Sequence, residues 1–182
     1  MNNRVWIGGL LVAGLSLIGA GAAFYYAGSS AQPVQEPVAS PQAALPAAEL
    51  PTPNPNLPVV HVWKSPTCGC CTGWVDHMRK AGFQVEVEDV ADITPIKTAQ
   101  GVAAEHQSCH TSVVDGYTIE GHVPAEDIVR LLAERPKVTG LAAPGMPVGS
   151  PGMEVGSRKD PYEVLLVTRD GRTTVFARYP AS

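Results

Sequence analysis

Val59-Val60-His61-Val62-Trp63-Lys64-Ser65-Pro66-Thr67-Cys68-Gly69-Cys70-Cys71 is the stretch that decides how the rest of the chain is read. Val59 to Trp63 reads as a buried strand, and Pro66 to Gly69 breaks it. Trp74, Val75, Met78 and Ala81 then recur at helical spacing until Gly82 ends the helix. Cys68, Cys70 and Cys71 therefore stand in the turn between a strand and the first turn of a helix. Packing asks for no such gathering of sulfur. Unpaired amides and the dipole at a helix N-terminus, by contrast, stabilise thiolates and ready them for metal or for disulfide exchange. The chain has four cysteines in all, and the fourth, Cys109, stands beside His110.

Outward from this turn, Phe83 to Val90 places Val85 and Val87 inward and Glu86 and Glu88 outward, the alternation of a second strand. Asp92 can cap a short helix running through Gln100. Thr111 to Val114 and Tyr117 to Ile119 flank Asp115-Gly116, which supplies the positive φ of a tight hairpin. Pro124 starts another helix, with Glu126 and Asp127 in its first turn, Ile128, Leu131 and Leu132 inward, and an end before Pro136. Residues 137 to 161 read as a long loop rich in Gly and Pro, with two echoing pieces, Pro144-Gly145-Met146 and Pro151-Gly152-Met153. A last hairpin joins Glu163 to Thr168 and Thr173 to Arg178 around Asp170-Gly171. This order predicts an α/β domain of thioredoxin-like fold. In that arrangement the loop entering the first hairpin faces the turn after the first strand, which would bring Cys109 and His110 alongside Cys68, Cys70 and Cys71.

The domain so read occupies residues 59–182. Ahead of it, residues 1–27 carry one basic residue, Arg4, and a nearly unbroken apolar stretch from Val5 to Ala27, long enough to span a bilayer. The single positive charge predicts a cytoplasmic N-terminus and an exported remainder. The length favours an uncleaved signal-anchor; small residues around Ala27 to Ala31 offer a signal-peptide cut as the alternative, which would release the domain. Residues 28–58 hold Pro33, Pro37, Pro41, Pro46, Pro51, Pro53, Pro55 and Pro58 among Ala, Gln and Ser, the composition of an extended linker. The predicted location is the periplasm, at the inner membrane. Net charge is −4 and no basic run occurs, so the electrostatic drive for nucleic-acid binding is missing.

The chemistry of the cysteine group has several readings. Exported proteins use cysteines for disulfides, yet these are too close together for bridges that staple distant parts of a chain. Cys68 and Cys71 have the C-x-x-C spacing of thiol oxidoreductases, but Cys70 is surplus to that chemistry. Zinc prefers two separated pairs, and adjacent cysteines reach one metal badly. Copper(I) is soft, accepts two or three thiolates and lets them bridge neighbouring ions, so a crowded C-x-C-C group suits more than one copper ion. Copper fits best; dithiol redox chemistry, zinc or an iron–sulfur cluster, and structural disulfides stay open. His110 and His122 are candidate ligands by position, whereas His61, His77 and His106 are not. Met146 and Met153 could offer thioether sulfur or belong to a loop covering the site. Trp63 and Trp74 read as core aromatics and Arg158-Lys159-Asp160 as a solvated turn.

Lys64 to Cys71, Ser108-Cys109-His110-Thr111, Glu120-Gly121-His122-Val123-Pro124-Ala125 and the run Gly145 to Glu154 together resemble the CopG family of bacterial periplasmic copper-resistance proteins. The likeness spans about residues 59 to 180. It implies a thioredoxin-like fold, a copper site at Cys68, Cys70, Cys71 and Cys109, and a change of copper between its oxidation states, that is, a possible copper oxidoreductase. The expectation is then a copper-resistance protein whose partners are copper ions, a copper exporter or periplasmic copper carrier, and the inner membrane. The competing expectation is a periplasmic thiol-disulfide oxidoreductase in which Cys68 or Cys71 attacks substrate disulfides.

Overall fold

A computed structural model describes residues 52–180; the expected membrane segment and most of the expected linker lie outside the described residues. Among the described residues no helix is long and apolar enough to cross a membrane. The elements are β1 (Val60–Lys64), α1 (Gly69–Lys80), β2 (Val85–Asp89), α2 (Thr94–Ala99), a single 3-10 turn (Ala104–His106), β3 (His110–Val114), β4 (Tyr117–Gly121), α3 (Ala125–Glu134), β5 (Gly140–Ala143), β6 (Tyr162–Val167) and β7 (Thr173–Tyr179). All the strands join one mixed sheet in the order β2-β1-β3-β4-β5-β6-β7. β1 pairs parallel with β2 and antiparallel with β3, and β4 pairs parallel with β5. The α/β class expected from the sequence is present.

The local signals act as their chemistry dictates. Gly82, at φ 94°, closes α1, with the Phe83 amide reaching back to the Met78 carbonyl at 3.1 Å. Asp115 and Gly116 both take positive φ, 46° and 81°, which turns β3 into β4. The Asp92 carboxylate accepts the Thr94 amide at 2.9 Å and so starts α2. α1 buries Trp74, Val75 and Met78, and α3 buries Ile128 and Leu131, against Val60, Val62, Ile119, Leu141 and Val164 of the sheet. Each such side chain contributes about 1.5–3 kcal/mol on leaving water.

Four readings change. Val87, expected inward, is 38% exposed: β2 is the edge strand of the sheet, and among the described residues this position stays open. The expected loop 137–161 contains β5, whose Gly-Leu-Ala-Ala sequence shows no alternation because all four residues are buried. The last residues of the expected linker join the domain: the Asn54 amide donates to the Gly82 carbonyl at 2.8 Å, and Leu57 packs on the core. Trp63 is only half-buried and donates its indole N–H to Glu88 at 2.8 Å; Trp74 alone of that pair is a core aromatic.

Candidate metal centre

Lys64, the last residue of β1, pairs in register with His110, the first of β3. That pairing delivers the chain just before β3 to the turn just after β1, so Cys109 meets the cysteines that open α1. Cys68 is the residue immediately before the helix, and Cys70 and Cys71 lie in its first turn. The sulfurs of Cys68, Cys70, Cys71 and Cys109 all lie within 4.8 Å of one another. Cys70 Sγ is 3.4 Å from Cys68 Sγ and 4.0 Å from Cys109 Sγ. The convergence expected from the fold order is therefore present.

Within this group Cys68 and Cys71 are joined by a disulfide, and Cys70 and Cys109 are free. The sequence argument disfavours structural bridges here, because bridges usually staple distant segments, while noting the C-x-x-C spacing of Cys68 and Cys71. The helix start brings the two Cα atoms to 5.4 Å, within the range a disulfide needs, so the short ring closes.

A second group overlaps the first at Cys109. The ligand atoms of Cys109, His110 and His122 also lie within 4.8 Å of one another. His122 donates its Nδ1 hydrogen to the Pro151 carbonyl at 2.7 Å, which leaves Nε2 as the acceptor facing Cys109 Sγ at 3.0 Å. A hydrogen bond that fixes the tautomer and aims the free nitrogen is how metal-binding imidazoles are held. His110 has Nδ1 3.4 Å from the same sulfur and packs between Trp74 and His122, with ring centroids 4.5 and 5.0 Å away. Its Nε2 is buried with no hydrogen-bond partner among the described residues. Burial holds both imidazoles neutral, His110 far below its ordinary pKa of 6.5 and His122 below it. Burial, followed by the neighbouring Cys70, pushes the Cys109 thiol up to about 12, so a metal binding there would displace a proton.

Behind Cys109 lies a polar brace that the sequence reading missed. Glu120 on β4 is 1% exposed and Lys97 on α2 is 3% exposed, and the two form a buried ion pair. Glu120 also accepts the Ser108 amide at 2.6 Å and the Thr111 hydroxyl at 2.7 Å, and Lys97 donates to Thr111 at 3.0 Å. Burial raises the Glu120 carboxyl, opposed by Lys97, Thr111 and Ser108. Ser108 in turn donates its hydroxyl to the Gly145 carbonyl, linking the brace to the segment after β5. Gly121, at φ 73°, lets this happen: a Cβ there would lie 2.5 Å from Ser108 and 2.6 Å from the Ala143 carbonyl.

The segment carrying Met146 and Met153 touches the elements of the site through its backbone at Pro151 and Gly152. A Cβ at Gly152 would sit 2.5 Å from the Cys70 carbonyl and from the Trp74 amide, so this segment touches the first turns of α1. Met146 is 54% exposed and Met153 is partly buried. Two of the histidines set aside bond elsewhere: His61 pairs with Glu86 at 3.0 Å, and His77 accepts the Ala125 amide at 3.0 Å at the start of α3. Arg158 and Asp160 form an exposed pair in the expected turn.

Residues 106–153 match the family described as "Protein of unknown function, DUF411". No curated protein matches the chain. Two solved structures do, "Copper resistance protein copG", in forms 2 and 1. The first is 47% identical, with TM-score 0.66, covering 68% of this chain and 99% of its own. The second is 47% identical, with TM-score 0.65, covering 68% of this chain and 98% of its own. The chain belongs to the CopG family of copper-resistance proteins. The DUF411 match takes in Cys109, His110, Glu120, His122, Met146 and Met153 and leaves out the C-x-C-C turn.

Proposed function

We propose that this protein is a periplasmic copper-binding protein of copper resistance that holds copper through Cys68, Cys70, Cys71 and Cys109. Copper is its cargo rather than a resident cofactor. The observation that carries this reading is the convergence of four sulfurs within 4.8 Å, three from one turn and one from 38 residues beyond Cys71. Soft sulfur donors at this density suit copper(I), and neighbouring ions can share thiolates that cannot all reach one centre. More than one ion per chain follows. The neutral imidazoles of His110 and His122 extend the donor set with nitrogen, which also suits copper(II), and a mixed set of this kind supports cycling between the two oxidation states. Met146 and Met153, in the segment that touches the start of α1, are candidates for a thioether contact.

The thioredoxin-like reading of residues 59–182 is supported by the order β1-α1-β2, the β3-β4 hairpin and α3, with the cysteine turn at the start of α1; β5 to β7 extend the sheet beyond that unit. Residues 1–27 would anchor the domain to the inner membrane and residues 28–58 would tether it, near an exporter or carrier that takes the copper on. Full-length protein should therefore fractionate with the inner membrane; recovery as a soluble species starting near Gln32 would show a cleaved signal instead. The test of the copper reading is metal content. Anaerobically reduced protein offered copper and zinc together should retain more than one copper per chain, and retention of zinc in its place would overturn the reading.

A further inference from the structure

Two of the four sulfurs are withdrawn from metal binding by the Cys68–Cys71 disulfide, since the thiolate, not the disulfide, is the ligand. We infer that Cys68 is the sulfur at which a dithiol reductant opens this bond, so that copper loading is preceded by thiol–disulfide exchange with a dithiol. The inference rests on the copper reading of the same four sulfurs.

The two ends of the bond are not equivalent. Cys71 is 0% exposed, and its sulfur lies 3.8 Å from the Cys109 carbonyl. Cys68 is partly exposed and sits just outside α1. An incoming thiolate must reach a disulfide sulfur along the bond's far side, and only Cys68 offers that approach. The sulfur expelled is then Cys71, in the first turn of α1, where free amides favour the charge it carries on leaving.

The step balances as an ordinary two-electron exchange. A thiolate of the reductant forms a bond to Cys68 Sγ, the Cys68–Cys71 bond breaks, and Cys71 leaves as a thiolate that takes up a proton. The second thiol of the reductant then attacks its own sulfur in the mixed disulfide, and Cys68 is released as a thiol. The reductant ends as a disulfide and the protein has gained two thiols. A monothiol lacks the second step. Its adduct on Cys68 stands beside Cys71 and within reach of Cys70, whose sulfur is 3.4 Å from Cys68 Sγ, and an intramolecular thiol at that distance outcompetes a dilute external one and expels it. The reaction that must come before copper loading is thus oxidation of a dithiol, the chemistry of a small dithiol or of a protein with a paired-cysteine motif.

The test uses the full chain in its oxidised state. Denatured under acid quench, it should titrate two thiols, and four after treatment with dithiothreitol and desalting. The dithiothreitol-treated protein should retain copper(I) against a chelator that strips the oxidised protein, while 2-mercaptoethanol at equal thiol concentration should restore little. Equal copper retention by oxidised and reduced protein would overturn the gate, as would four thiols at the outset. Should neither form retain copper, the copper reading fails while the point of attack is still decided by mapping. For that, oxidised Cys70→Ser/Cys109→Ser protein is mixed with cysteamine and quenched with N-ethylmaleimide. The peptide should carry cysteamine on Cys68 and maleimide on Cys71; the reverse pattern would refute the assignment. The copper and thiol measurements on the unsubstituted chain stand even if the doubly substituted chain misfolds.

Discussion

Replacing Glu120 with Gln exchanges one carboxylate oxygen for an amide NH2 and removes one buried charge. Lys97, 3% exposed, would keep its ammonium group but lose the carboxylate beside it. Breaking a buried pair from one side costs about 3–5 kcal/mol, mostly the desolvation of the charge left behind. Against a total stability of about 5–15 kcal/mol, the domain should still fold but with little margin. Because the same carboxylate holds the Ser108 amide at 2.6 Å, the residue before Cys109, loosening it should also weaken copper retention. Lys97→Met in the Glu120→Gln background removes the stranded charge; the Gln carbonyl can still accept from the Ser108 amide, and its NH2 can donate to the Thr111 hydroxyl, which no longer receives a hydrogen bond from Lys97. The double variant should therefore recover about 1–3 kcal/mol relative to Glu120→Gln alone. Urea unfolding of the metal-free, reduced protein, followed by tryptophan fluorescence, gives both numbers. A Glu120→Gln variant within about 1 kcal/mol of the parent, or a double variant showing the plain sum of the single losses, would refute the brace as described.

Three further outcomes follow from the same contacts. Gly152→Ala places a Cβ against the Cys70 carbonyl and the Trp74 amide at φ 82°; it should cost about 1–3 kcal/mol, read as a lower melting temperature, and expose Cys70 to faster alkylation in the reduced protein. Burial holds His77 below its ordinary 6.5, so the unfolded chain takes up its proton first as pH falls; the stability it contributes is complete above about pH 6.5 and is lost below, where the Ala125 amide also loses its acceptor. Urea midpoints measured from neutral pH downward should fall in that window, and less steeply in His77→Gln. Cys109→Ser should leave the fold intact and sharply reduce copper retention; unchanged stoichiometry and affinity would remove Cys109 from the site.

The parts of the fold that were legible in the sequence are those whose periodicity or turn chemistry is local. α1, α3 and the Asp115-Gly116 hairpin each carry an apolar spacing or a positive-φ pair that fixes them without reference to distant residues. β5 was illegible because Gly140, Leu141, Ala142 and Ala143 are small or apolar on both faces, as a strand flanked by β4 and β6 requires, and a Gly- and Pro-rich neighbourhood reads as loop. Val87 misled for the opposite reason, since alternation marks a face without saying whether anything covers it. At the site, sulfur clustering and the Cys109-His110 pair are visible because those residue types are scarce. Glu120 and Lys97 are not, because a charged residue in a strand or helix reads as solvated until its partner is located in space. The disulfide was disfavoured by a rule about distant bridges that does not apply across the start of a helix.

X-ray absorption at the copper edge of reduced, copper-loaded protein tests the central claim most directly. The account predicts a first shell dominated by sulfur, more than one copper per chain, and loss of that shell when Cys70 or Cys109 is replaced by Ser. A first shell of oxygen and nitrogen alone, or a sulfur shell indifferent to both replacements, would contradict it.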